Sequence, residues 1–201
     1  KEILEYFSNN IKLMVIDDLA NRLHYCDYIL DQNYFGSKTH YRYKNLIPKN
    51  AIKFLGPKYA LISKNYSILN QQSITRKELK RVLIYFGGVD QYNLSCVSIK
   101  WLRSLNLKGI FVDVVIGMQS PHRLELEKLC KNDSKICIHE PKDNLAKLIF
   151  QSDLSIGSGG VVMLERICLK LPSIVIPIAD NQNEVVEIMH EEGCIYHVKK
   201  D

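Results

Sequence analysis

The run Gly157-Ser158-Gly159-Gly160, with Glu165 five residues beyond its last glycine, holds the residue types that anion binding and sugar recognition use. Glycines at a strand-to-helix turn bring backbone N–H groups within reach of a phosphate, and the N-terminus of the following helix adds a favourable field of about 0.3–1 kcal/mol. Each glycine also costs folding entropy that a larger residue would not, so three within four positions need a reason. Glu165 falls about one and a half turns into the expected helix, near the turn but clear of the anion seat. A carboxylate accepts two hydrogen bonds at once and can hold the vicinal hydroxyls of a ribose. On this reading the glycines seat a diphosphate and the glutamate seats a sugar. On the other reading the glycines only let a helix pack closely on a sheet, and Glu165 pairs with Arg166 or Lys170. Spacing alone does not choose, because GxGG departs from the G-x-G-x-x-G fingerprint.

Two further strand ends carry similar chemistry, since ligands of open α/β sheets sit beyond the carboxyl ends of the strands. The expected strand 82–86 runs into Gly87-Gly88-Val89-Asp90, and the expected strand 173–176 runs through Pro177 into Asp180-Asn181-Gln182. Earlier in the chain, Asp17 and Asp18 end a short apolar run. A carboxylate pair can share a proton and raise one pKa, which suits a general base; Asp18 equally suits the cap of a helix beginning at Leu19. The six histidines, His24, His40, His122, His139, His190 and His197, are read as surface or partly buried side chains.

The elements that must position these residues follow from the hydrophobic pattern. From about residue 80, apolar strand-like runs alternate with helical-period runs: Val82–Phe86 then 92–105, Phe111–Ile116 then 121–131, Ile136–Ile138 then 143–151. Leu154–Ile156, the helix after the glycines, Ser173–Ile176, a helix from about Asn183 and a short strand near Ile195 complete the series. Continuous apolar, β-branched runs are what buried parallel strands require, so the fold class is α/β with a doubly wound parallel sheet. The first 75 residues read as the later part of another such layer, with strands at Leu13–Ile16 and Tyr28–Leu30 followed by a loop rich in Tyr, Lys and Asn. The polar, turn-like stretch 70–78 separates two domains, 1–75 and 76–201.

Composition narrows the classes. The chain has 201 residues, 46% hydrophobic and 24% charged, with a formal net charge of +5, which mildly favours an anionic ligand. The run Lys38 to Lys44, KTHYRYK, is too short for the basic stripe of a nucleic-acid binder and reads as a solvated loop. Six cysteines without a C-x-x-C pair or zinc-like spacing predict reduced, mostly buried thiols in a cytoplasmic protein, with no disulfide framework and no metal. No run is long enough for a membrane span. The chain opens at Lys1 inside an apparent helix, KEILEYFSNN, and reads as a piece of a longer protein.

The stretches SDLSIGSGGVVMLERICLKLPSIVIPIADNQ, IDDLANRLHYCDYILDQN, GPKYALIS and YFGGVDQYN together resemble the UDP-sugar hydrolases of pseudaminic acid biosynthesis, also called flagellin-modification or spore coat polysaccharide proteins. That family is similar in fold to the lipid-linked N-acetylglucosaminyltransferase of peptidoglycan synthesis. The resemblance implies a twin-Rossmann (GT-B) architecture, with an incomplete N-terminal domain and a C-terminal domain that holds the nucleotide. It implies hydrolysis of UDP-2,4-diacetamido-2,4,6-trideoxy-β-L-altropyranose by water attack at the anomeric carbon, without a cofactor. By the same resemblance Gly87, Gly88, Gly157, Ser158, Gly159, Gly160 and Glu165 bind UDP, Asn181 and Gln182 reach the diphosphate or sugar, and Asp17 and Asp18 line an interdomain cleft. The family's G-x-G-H turn, which carries its water-activating histidine, has no match here, and Ser63 stands where GPxYALLR has an arginine. The resemblance therefore implies a chain that binds a UDP-sugar without turning it over, and that dimerises through the face left by the missing half-domain. A GT-B glycosyltransferase using a UDP-sugar donor, and a non-catalytic nucleotide-binding module, are the alternatives.

Overall fold

A computed structural model describes residues 11–72, 76–141 and 145–198; the helix expected over 1–10 and the centre of the 70–78 stretch lie outside them. The chain divides into two compact units, Lys1–Leu61 and Ile62–Asp201.

The second unit is built on a six-stranded, fully parallel sheet of order β6-β5-β4-β7-β8-β9. Its strands are β4 (Arg81–Tyr85), β5 (Phe111–Val115), β6 (Ile136–His139), β7 (Leu154–Gly157), β8 (Ser173–Val175) and β9 (Tyr196–His197). Val82, Leu83 and Ile84 are all fully buried, which is the signature of a central strand covered on both faces. Val82, Ile84, Val112 and Val114 pack with Ile99 and Leu102 of α2 (Leu94–Ser104) and Leu126 of α3 (Arg123–Cys130). Leu83 and Val115 pack on the opposite face with Tyr66 of α1 (Lys64–Asn70) and with Ala146 and Ile149 of α4 (Ala146–Gln151). The remaining helices are α5 (Val161–Cys168) and α6 (Asp180–Glu191). Strand order reverses between β4 and β7, so the crevice of a doubly wound sheet opens at their carboxyl ends.

The unit boundary falls earlier than the polar stretch at 70–78 suggests, and Tyr66 is the reason. Its ring is fully buried against the second unit's sheet and helices, so α1 belongs there. Ser63 starts that helix as its N-cap, its Oγ accepting the Asn65 N–H at 3.4 Å. Within the 70–78 stretch, Arg76 spreads one guanidinium over the carbonyls of Ile149, Phe150 and Ser152 at the end of α4 and of Leu169 and Lys170 after α5.

Among its described residues the first unit holds three parallel strands in the order β1 (Met14–Ile16), β2 (Tyr28–Asp31) and β3 (Ile52–Leu55). Its core gathers Cys26, Ile29, Tyr43 and Leu55. β3 lies in the segment read from sequence as loop, because only Leu55 of its four residues is buried and Lys53 breaks the apolar pattern. No helix begins at Leu19. Ala20 takes a left-handed conformation at φ 47°, and its N–H is held by the Asp17 carboxylate. The basic run at 38–44 is not simply a solvated loop either: Thr39 and Tyr43 are buried, and Arg42 pairs with Asp31 at 3.0 Å. The thiols are split, with Cys26, Cys96 and Cys130 buried, Cys168 between, and Cys137 and Cys194 exposed.

Candidate functional site

The β4–β7 pairing sets Tyr85 beside Gly157 and so brings the two glycine turns together at the crevice. Ser158 N–H donates to the Tyr85 carbonyl at 3.3 Å. After β7 the chain turns through Ser158, Gly159 and Gly160 into α5, whose N-cap, Gly160, offers no side-chain cap. Of the first amides of α5, that of Met163 turns back onto the Gly160 carbonyl at 3.1 Å, and those before it have no acceptor within the helix and are donors an anion could use.

Each glycine of this turn has an internal cause. A Cβ on Gly157 would overlap Arg166 Nη1 and the Tyr85 carbonyl oxygen. One on Gly159 would lie 3.0 Å from Val186 Cγ2 and 3.1 Å from Gln182 Oε1 of α6. Gly160 sits at φ +78°, which L side chains rarely adopt. Close packing at Gly157 and Gly159 and backbone conformation at Gly160 thus each supply a reason of the kind that three glycines within four positions call for. The same constraints leave the turn's backbone bare.

Arg166 was read from sequence only as a partner for Glu165. It is instead fully buried beneath the turn, where Nη2 donates to the Ser158 carbonyl and Nη1 lies 3.4 Å from Ser155 Oγ, while Nε has no partner among the described residues. Burial pulls its pKa down to about 10, against the opposing pull of Glu165, so it stays charged at neutral pH. Because a trans peptide is planar, holding the Ser158 C=O toward Arg166 sends the Gly159 N–H to the opposite side, away from the guanidinium. The buried guanidinium therefore orients the donor that an anion at the turn would use.

The turn after β4 is organised differently. Gly87 takes φ +93°, and the buried Asp90 carboxylate accepts the Leu94 and Ser95 N–H groups at 2.9 Å each, capping α2. Those amides are therefore taken, which leaves the α5 terminus as the open one of the two. Gly88 holds the neighbouring loop, its carbonyl accepting the Gly117 N–H at 2.8 Å. A Cβ on Gly117 would meet that carbonyl at 2.6 Å, so Gly117 is a required glycine that sequence reading passed over.

Glu165 is half-buried on α5; burial pushes the Tyr66 and Tyr85 phenols up, and Glu165 is close enough to push both further. Burial lifts its pKa above the ordinary value, partly countered by the Tyr66 hydroxyl and by Arg166. On α6, Gln182 Oε1 accepts the Ile178 N–H at 3.1 Å and its side chain lies against Gly159, whereas Asn181 is exposed in the first turn. The second unit thus gathers Gly157 to Gly160 with Gln182 at one place and sets Gly87 and Gly88 on the adjacent strand end.

Asp17 lies in the first unit, buried at the end of β1. Its carboxylate accepts the Ala20 N–H, the Tyr43 hydroxyl and Arg22 Nη2, each at 2.9 Å, with His24 Nε2 at 3.5 Å. Burial alone would raise its pKa, but these donors and cations together hold it below the ordinary value. The Tyr43 hydroxyl also reaches Asp31 at 3.3 Å, while burial lifts the Asp31 pKa. A carboxylate so fully occupied and acidic is a poor general base. Asp18, for its part, offers its carbonyl to Arg42 at 2.9 Å.

No family model matches the chain. It is 35% identical over 129 residues to the Methanocaldococcus jannaschii protein MJ1062, an alignment covering 61% of this chain and 26% of that protein. It is 21% identical over 140 residues to the spore coat polysaccharide biosynthesis protein SpsG of Bacillus subtilis, covering 69% and 41%. It is 24% identical over 192 residues to the UDP-2,4-diacetamido-2,4,6-trideoxy-beta-L-altropyranose hydrolase of Campylobacter jejuni, covering 96% and 67%. The chain thus spans about a quarter and two fifths of the length of the first two relatives. Among solved structures, MurG of Acinetobacter baumannii matches 85% of this chain and 52% of its own at a TM-score of 0.55 and 15% identity. A UDP-GlcNAc 2-epimerase of Methanocaldococcus jannaschii, solved with UDP-GlcNAc and UDP, matches 86% and 50% at 0.53 and 19% identity. These relatives support the resemblance read from the sequence, and the fold is of the GT-B, Rossmann-like type. They lend no support to the expected dimer. No helix among the described residues is long and apolar enough to cross a membrane.

Proposed function

We propose that the second unit binds the UDP moiety of a nucleotide sugar at the β4–β7 crevice, and that the whole protein is a cytoplasmic hydrolase releasing UDP from a diacetamido-trideoxyhexose in pseudaminic acid or related surface-polysaccharide biosynthesis. The observation that carries this is the uncapped α5 N-terminus behind Gly157 to Gly160, set at the strand-order reversal with a buried arginine that turns the Gly159 N–H away from itself. In this assignment the turn amides take the diphosphate, Gln182 and Asn181 flank it, and the Glu165 carboxylate accepts the ribose hydroxyls. Helix-terminus donors stabilise the charge that collects on departing UDP, and the attacking water requires a base other than Asp17. A transferase would use the same seat with an acceptor hydroxyl in place of water, and product analysis of the whole protein separates the two.

Calorimetric titration with UDP, alongside CMP and ADP, tests the seat. Saturable UDP binding that weakens by about 1–3 kcal/mol in Glu165→Ala supports it, as expected for loss of a charge-assisted hydrogen bond. Equal affinity for all three nucleotides, or a Glu165→Ala variant that binds as tightly as the parent, overturns it.

A further inference from the structure

A second constellation lies on the β5–β6 edge of the same sheet. Asp113 stands directly opposite Cys137 in the ladder, and His139 follows two residues on, so all three side chains share one face. Asp113 Oδ1, a His139 ring nitrogen and Cys137 Sγ lie within 4.8 Å of one another. Asp113 is buried, His139 half-buried and Cys137 exposed, which leaves the group open to solvent on one side. We propose that Asp113, Cys137 and His139 form a three-ligand site for a divalent ion of the Zn²⁺ class, with water in the fourth position.

The donor set is what selects that ion: one thiolate, one imidazole and one carboxylate suit borderline metals, whereas magnesium and calcium take oxygen ligands. Tetrahedral bonds of about 2.0–2.3 Å separate ligand atoms by roughly 3.5 Å. The Cys137 sulfur, within 4.8 Å of the other two ligand atoms, would therefore close in by up to about 1 Å, while His139 Nε2 and Asp113 Oδ1, now 2.6 Å apart, would open by about the same amount. The ion would take the place of the hydrogen bond between His139 Nε2 and Asp113 Oδ1, and the ring proton would pass through solvent to Nδ1. Arg81 Nη1 holds the other oxygen, Asp113 Oδ2, at 2.8 Å, fixing the carboxylate from behind as outer partners of metal ligands do. Its charge also opposes a cation, so binding is weaker than at a four-ligand structural zinc. On binding, the Cys137 thiol gives its proton to solvent and its sulfur lone pair to the metal. The sequence pattern C-x-H holds two of the ligands on one strand; the third comes from the neighbouring strand and leaves no spacing to find.

The test is titration of the chain with ZnCl₂ by calorimetry and with CoCl₂ by absorption, on the parent and on Cys137→Ser, His139→Gln and Cys194→Ser, each checked for folding by circular dichroism. Expected are one zinc per chain, a thiolate-to-cobalt charge-transfer band and a raised Tm with zinc. Cys137→Ser should fold, because the residue is exposed, and should lose the band and at least tenfold in zinc affinity. His139→Gln should lose at least tenfold while Cys194→Ser matches the parent. No stoichiometric zinc, or affinity and band unchanged in folded Cys137→Ser and lost in Cys194→Ser, overturns the site.

Discussion

Substituting Gly157 by alanine tests the idea that the turn and the buried arginine form one unit. The added Cβ would come closer than 3.0 Å to Arg166 Nη1 and to the Tyr85 carbonyl oxygen. Neither neighbour gives way cheaply: the carbonyl belongs to the central β4–β7 pair and accepts the Ser158 N–H, and the guanidinium is fully enclosed and bound to the Ser158 carbonyl. Overpacking of this kind costs about 1–3 kcal/mol. Dislodging a charged donor from its buried acceptor adds about 1.5–3 kcal/mol. Gly157→Ala should therefore lose about 3–5 kcal/mol in urea unfolding, a large share of an ordinary domain's stability. Arg166→Met removes one of the two obstacles, so the alanine should cost about 1.5–3 kcal/mol less in that background. A Gly157→Ala loss below about 1 kcal/mol, or additivity of the two changes within about 0.5 kcal/mol, would refute the coupling.

Other consequences are open to measurement. Gly117→Ala drives a Cβ into the Gly88 carbonyl and should weaken UDP binding in calorimetry by displacing the turn after β4, with a stability loss of about 1–3 kcal/mol. Asp17→Asn keeps the size of the side chain but loses the charge to which Arg22, the Ala20 N–H and the Tyr43 hydroxyl donate, and should cost about 1.5–3 kcal/mol at neutral pH. Because the folded Asp17 pKa lies below its unfolded value of 3.8, its contribution is fully present above that value and fades as pH falls through the folded pKa. Acid unfolding curves of Asp17→Asn should accordingly lack part of the slope below pH 3.8. Glu165 has its pKa raised, so UDP affinity should fall on acidification more steeply in the parent than in Glu165→Gln; parallel curves would remove the carboxylate from the seat.

Much of the second unit was legible, because strands buried on both faces write their own apolar runs. Val82 to Phe86 and Phe111 to Ile116 each overrun the observed strand by one residue at the carboxyl end. The helix expected from about Asn183 starts at Asp180, since its first turn is polar and exposed. What escaped was set by partners distant in sequence. Nothing near Arg166 signals that its charge is enclosed beneath Ser158, and Gly117 looks like any loop glycine until the Gly88 carbonyl is placed against it. In the first unit, β3 hid behind Lys53 and its exposed neighbours. Asp17 looked like a reagent because a strand-end acid has the same appearance whether it is free or, as here, saturated by Ala20, Arg22 and Tyr43.

The span of the Arg76 guanidinium sets an order of events for a chain made from its N-terminus. Its bonds to Ser152 and Lys170 join residues 76 and 94 positions apart. Arg76 leaves the ribosome long before either acceptor, and the second of the two helix ends, with its partial negative charge, stays unsatisfied until Lys170 has emerged. A nascent chain stopped near residue 155 holds only one of the two ends that this side chain fastens, and one stopped past 170 holds both. Protease resistance of the second unit should therefore arise late and abruptly during synthesis.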